Sequence, residues 1–168
     1  GIGDTTLTLF FSPAGSGKLT WGIGPVFGLP TASNQELLGT GKFTLGPSGV
    51  LFYTSGPWTM GAVVSNLWSL GGDSEREDVN FFTAQYFVNF NFGEGWAVGT
   101  APILTANWEA DSGNQWTVPF GVQVSKVTRF GNQPVNLLLG YYDNVDHPEG
   151  GAESQVRFQV NFLFPLKR

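Results

Sequence analysis

Between its glycines and prolines the chain alternates apolar and polar residues with a period of two, the spacing of strands whose two faces meet different surroundings. The run after Gln155 shows it most cleanly, with Val156, Phe158, Val160, Phe162 and Phe164 on one face and Arg157, Gln159 and Asn161 on the other. Phe82, Ala84, Tyr86, Val88, Phe90 and Phe92 alternate in the same way with Thr83, Gln85, Asn89 and Asn91. So do Trp116, Val118, Phe120, Val122 and Val124 with Thr117, Gly121, Gln123 and Ser125. The pattern predicts nine strands, at 5–11, 18–28, 41–53, 58–70, 80–92, 96–108, 115–127, 135–142 and 155–164. Helical periodicity is missing almost everywhere, so the expected class is all-β.

Strand length narrows the architecture. Several runs exceed ten residues, whereas soluble strands average about 5–6 and membrane-spanning strands need about 9–11. Trp58 and Trp68 share one face of a run, as do Trp96 and Trp108. Each pair brackets about 33–40 Å of strand. At a tilt near 45° that projects to roughly 25 Å, the height of the apolar band between the aromatic girdles of a transmembrane barrel. Trp21 and Trp116 complete the expected girdle.

The connections alternate short and long: SPAGSG, LPTASNQELLGT, TSGP, GGDSERED, GEG, EADSGN, TRFGNQ and DNVDHPEGGAE. Outer-membrane barrels pair short periplasmic turns with longer outside loops. Glu36, Asp73, Glu75, Glu77, Asp78, Glu109, Asp111, Asp143, Asp146, Glu149 and Glu153 fall on the long-loop side. Lys18, Lys126, Arg129, Lys167 and Arg168 fall at or near the short turns. The expectation is an antiparallel transmembrane β-barrel, a single domain over 1–168, with acidic long loops extracellular and short turns periplasmic. Nine is odd, whereas single-chain bacterial barrels have even strand numbers. The simplest repair is that the nine are a C-terminal part, with an odd number of strands before Gly1; a short strand hidden within a connection is the alternative.

Composition agrees with that expectation. Charged residues are 12% and aromatics 15% of the chain, and mean hydropathy is −0.02. Such a mixture suits a surface apolar on one side and polar but uncharged on the other. No stretch approaches the ~18 apolar residues of a membrane-spanning helix, a signal that barrel strands do not produce. Absence of cysteine excludes disulfides and thiolate metal sites. A net charge of −5 argues against nucleic acid as a partner.

The segments WGIGPVFGLPTAS, LGTGKFTLGPSGV, GPWTMGAVVSNLWSLGGDSEREDVN, QYFVNFNF, TANWEADSGNQWTVPFG, QPVNLLLGYYDNV and VRFQVNFLFP together resemble a widespread family of Gram-negative envelope proteins. That family is described as outer-membrane transporters, some linked to the MetA-pathway of phenol degradation. The resemblance runs in order through almost the whole chain. It implies about three more strands ahead of GIGDTTL, hence a twelve-stranded barrel. It also implies aromatic or hydrophobic solutes, and it supplies no catalytic motif.

Candidate chemistry is sparse. His147, the only histidine, lies in DNVDHPEGG beside Asp143 and Asp146. A triad base needs positioned partners, and a Gly- and Pro-rich loop predicts a solvated imidazole instead. Asp73, Glu75, Glu77 and Asp78 are weak candidates for divalent-metal binding, without the ligand spacing of a calcium loop. GSGK at 15–18 lacks the rest of a phosphate loop, and GIGPVFG at 22–28 lies within a strand. Pro25, Pro47, Pro102 and Pro119 fall inside strands, where each implies a bulge or a missing ladder bond; they bend the barrel or, as the alternative, open a side passage for apolar molecules into lipid. No cofactor and no enzymatic activity are expected.

The residues expected to matter line the inner wall. By parity they are Thr59, Ser65, Thr83, Gln85, Asn89, Asn91, Thr105, Asn107, Gln123, Ser125, Asn136, Arg157, Gln159 and Asn161, with Lys42 nearer a mouth. A twelve-stranded barrel is wider than the roughly eight-stranded case that side chains alone fill. The expected function is a channel for passive diffusion of small solutes. The alternative is a plugged structural barrel whose acidic loops bind lipopolysaccharide, cations or a protein. Expected partners are outer-membrane lipid, lipopolysaccharide and a small-molecule solute, with homo-oligomers allowed.

Overall fold

The computed structural model describes residues 1–15 and 17–164. Ten strands follow one another: β1 (Thr5–Thr8), β2 (Leu19–Leu29), β3 (Lys42–Ser55), β4 (Trp58–Gly72), β5 (Asn80–Gly93), β6 (Trp96–Thr100), β7 (Ile103–Asn107), β8 (Trp116–Phe130), β9 (Gln133–Asp146) and β10 (Ser154–Phe162). All pair antiparallel in a single sheet ordered β1-β2-β3-β4-β5-β6-β8-β9-β10, with β7 between β5 and β8. The result is an all-β, barrel-like meander in which sequence neighbours are spatial neighbours. Among the described residues no ladder joins β1 to β10.

The strand expected at 96–108 is split. β6 and β7 keep one register against both neighbours: Asn89↔Gly99 and Thr83↔Thr105 against β5, Gly99↔Gln123 and Thr105↔Thr117 against β8. The break at Ala101 and Pro102 is therefore local, and its cause is chemical, because proline has no N–H for the ladder. The other strand prolines also mark irregularities. Pro25 faces Pro47, the β3–β4 ladder skips Gly46 and Pro47, and a bulge lies between Val118 and Pro119.

Several boundaries differ from the alternation, and β3, β4 and β8 run two or three residues beyond their expected ends. The strand expected at 135–142 runs from Gln133 to Asp146, since a tight turn with Gly131 at φ 61° lets pairing begin at once. The last strand ends at Phe162, and beyond Thr8 the first continues only as a bridge from Phe11 to Ile23. The loop after β2 holds one helical turn, α1 (Gln35–Leu38), which the alternation did not show. Asn34 caps it, its side-chain oxygen accepting from the N–H groups of Glu36 and Leu37. Lys167 and Arg168, expected on the basic side, lie outside the described residues, as does Ser16 of the 15–18 turn.

The two faces of the sheet are inverted relative to a water-soluble sandwich. Val156 is 73% exposed, Phe120 and Phe158 68%, and Val122 65%. Lys42, Gln123 and Asn144 are each only 7% exposed. The outer face carries most of the large apolar side chains, and the concave face carries polar and small ones together with Phe52, Phe87, Leu138 and Tyr142.

Candidate functional site

The inner wall is organised by register. Ser48, Ser65, Thr83, Thr105 and Thr117 stand opposite one another from β3 to β8, forming a continuous row of hydroxyls. A second row, nearer the short turns, runs Thr59, Asn89, Gly99, Gln123, Gly140, Arg157 from β4 to β10. In that row the glycines leave room beside the long polar side chains. A methyl at Gly140 would touch the Tyr142 ring and the Gln123 Cβ at 3.0 and 3.2 Å.

Between these rows the break at Ala101 becomes a centre of hydrogen bonding. In an antiparallel ladder the N–H and C=O of one residue point to the same neighbour, here towards Gly121 of β8. Pairing between β6–β7 and β8 is missing from Thr100 to Leu104, and side chains from more distant strands fill in. The Ala101 N–H donates to Tyr142 Oη at 3.1 Å, and its carbonyl accepts from Arg157 Nη1 at 2.7 Å. The Tyr142 hydroxyl donates onward to Gln123 Oε1 at 2.9 Å, and Gln123 Nε2 donates to Asn89 Oδ1 at 3.2 Å. Tyr142 is fully buried, and the Arg157 guanidinium lies over its ring, 4.9 Å from the centroid. Gly121 permits the crossing, because any side chain there would collide with the Tyr141 carbonyl.

All fourteen residues expected on the inner wall share this face by register and strand parity, but they do not form one constellation. Asn89, Gln123 and Arg157 join the network at Ala101. Ser65, Thr83 and Thr105 lie in the hydroxyl row, and Thr59 in the second row. Gln85 faces Ile103, and Asn91 faces Ala97, with Ser125 next across the sheet. Asn107 lines the cavity at the long-loop mouth, Asn136 has a buried oxygen with no partner among the described residues, and Gln159 and Asn161 are exposed on β10. Sequence reasoning missed Tyr142, although it shares the parity of Asn136. It also passed over Phe52 and Phe87, inward residues whose rings pack 6.0 Å apart. Their apolar character hid them, since only polar residues were sought on that face.

The tryptophans divide between the two ends of the outer face. Trp21, Trp58 and Trp96 lie near the short turns, and Trp68, Trp108 and Trp116 near the long loops. Trp58 packs edge-on against Phe90, and the Lys126 ammonium sits 4.6 Å from the Trp96 ring centroid. At the other end Trp108 meets Trp116 edge-on and donates its indole N–H to Asn66, which itself donates to Asn80.

Two long loops fold together over the long-loop mouth, around a cavity of about 570 Å³ lined by Asp4, Lys42, Arg76 and Asp78 among others. Arg76 donates to the Gly39 carbonyl, and the ammonium of the buried Lys42 lies 3.3 Å from Asp78. Burial acts to raise the Asp4 carboxyl's pKa, but hydrogen bonds from the Thr40 N–H, the Ala32 N–H and the Thr40 hydroxyl outweigh it and hold the group below its usual value. Hydrogen bonds from Lys42 and then Ser69 lower Asp78 likewise. A carboxylate depressed in the folded state stabilises fully above its unfolded value, about 3.9, and loses that contribution as pH falls through the lower folded value. The protection factors of the Thr40 and Ala32 amides should therefore fall below about pH 4 while Leu138 stays protected; equal protection of Thr40 at pH 7 and pH 2.5 would show that Asp4 does not tether this loop.

The other candidates stay local. His147 Nδ1 lies 3.0 Å from the Pro148 carbonyl. Asp73 accepts from the Glu75 N–H and approaches Arg76 at 4.0 Å, Asp78 faces Lys42, and no group of three metal-ligating side chains occurs among the described residues. No protein-family model, curated protein or solved structure matches the chain.

Proposed function

We propose that this chain forms the wall of a bacterial outer-membrane β-barrel through which small solutes diffuse passively. The observation that carries the reading is the inversion of the faces: Phe120, Val122, Val156 and Phe158 are the exposed side chains, while Lys42, Ser48, Gln123 and Asn144 are buried. In water, exposing so continuous an apolar face is costly, at about 25 cal/mol per Å². In hydrocarbon the same face is solvated, and the aromatic residues at its two ends fall at the interfaces. Strands of 14 and 15 residues, as in β3, β4, β5, β8 and β9, are long enough to span with tilt.

In this reading the complete wall has twelve strands. Both β1 and β10 keep an unpaired edge among the described residues, and hydrocarbon tolerates no open edge. Acidic long loops face outward from the cell, and the short turns face the periplasm. The inner wall offers two kinds of surface to a solute, hydroxyl and amide rows and, between them, the Phe52–Phe87 pair, which suits small polar or aromatic molecules. No catalytic role is assigned.

A second reading is a plugged barrel with an interaction role, favoured by the loops that fold over the mouth through Asp4, Arg76 and Lys42. Reconstitution into liposomes separates the two. The channel reading expects swelling in small sugars and stepwise conductance in planar bilayers. A protein that inserts and shows the heat-modifiable mobility of a folded barrel, yet passes neither ions nor sugars, would leave the plugged reading.

A further inference from the structure

The inner wall carries an unbalanced positive charge near the middle of its span. Arg157 projects from β10 into the second polar row, and its described partners are a neutral carbonyl and the face of a tyrosine ring. No carboxylate pairs with it among the described residues. The strand positions sharing its row are Thr59, Asn89, Gly99, Gln123 and Gly140, all neutral. A guanidinium has five N–H donors in a rigid fork matched to a carboxylate. One donor is committed to Ala101, and the Tyr142 ring fixes the plane of the rest.

We propose that Arg157 forms an anion-binding subsite in the lumen, suited to a small carboxylate, and makes the pathway anion-selective. The inference rests on the channel reading and adds the class of solute. The acidic long loops do not cancel it. On its own strand Arg157 is separated from Glu153, the acidic residue at the long-loop end, by about 13 Å of strand. That exceeds the ~8 Å screening length at physiological ionic strength.

The test is reversal potential in a planar bilayer under a tenfold potassium chloride gradient. A unit charge about 4 Å from a permeating ion changes its partition about fivefold even at the permittivity of water. The wild-type protein should therefore prefer chloride by at least about fivefold, Arg157→Gln should bring the ratio near one, and Arg157→Lys should keep the preference. Acetate should reduce chloride conductance in the wild type, more weakly in Arg157→Lys because the ammonium lacks the fork, and not in Arg157→Gln. A cation-preferring wild type, or an Arg157→Gln protein with unchanged selectivity, would overturn the subsite while leaving the channel intact. If no conductance is seen, the channel reading fails, and acetate line-broadening by the folded protein in detergent decides the subsite. Broadening lost in Arg157→Gln supports it, and broadening absent or indifferent to that change removes it.

Discussion

Arginine in place of Val122 should cost about 2–4 kcal/mol of folding free energy in bilayers, while arginine in place of Thr128 on the same face of the same strand should cost about 0–1. Val122 is 65% exposed near the middle of β8, and Thr128 lies six residues on, beside the short turn to β9. In a membrane these positions differ in depth, one at the hydrocarbon midplane and the other at the interface. On a water-facing sheet both substitutions would fall within about 0.5 kcal/mol of neutral, as exposed changes usually do. The contrast is measured by urea titration of the protein folded into liposomes, read by tryptophan fluorescence. A depth-independent, near-zero cost at both sites would remove the membrane reading altogether.

The second large effect should come from removing one oxygen. Tyr142→Phe preserves the ring and its contact with Arg157 but deletes the hydroxyl that accepts from the Ala101 N–H and donates to Gln123 Oε1. Both partners are buried, with Ala101 8% and Gln123 7% exposed. Leaving buried polar groups unsatisfied costs about 1–3 kcal/mol each, so a loss of about 2–4 kcal/mol is expected. The loss should be directional as well as large. Hydrogen exchange should quicken at Ala101 and along the unladdered stretch to Leu104, while β2–β3 amides stay unchanged. A destabilisation below about 0.5 kcal/mol would mean that water or the β8 backbone replaces the hydroxyl.

Both experiments probe features that were legible to different degrees. The face of Val122 follows from alternation alone, because a strand's side chains repeat every two residues and the apolar set must share one environment. The same rule put Arg157, Gln123 and Asn89 on one face. It could not say that they meet, since contact depends on which residue stands opposite which across the sheet. Tyr142 was illegible for a further reason. A tyrosine on a strand of leucines and a second tyrosine reads as part of the greasy face, and only the glycine opposite it at position 121 shows where its ring can go.

What the amino-acid order determined by itself was periodic: the all-β class, the two faces, the apolar bands ended by tryptophan, and the partition of acidic and basic residues between long and short connections. These are local properties, set by side-chain alternation and turn chemistry. What only the tertiary structure decided was register and its local failure. The hydroxyl row from Ser48 to Thr117 exists because five strands align at one level. The network at Ala101 exists because pairing to β8 lapses there, and the gap is filled by residues 41 and 56 positions away in the chain. Pairing across that separation is fixed by hydrogen-bond complementarity between whole strands, and no single strand's pattern encodes it.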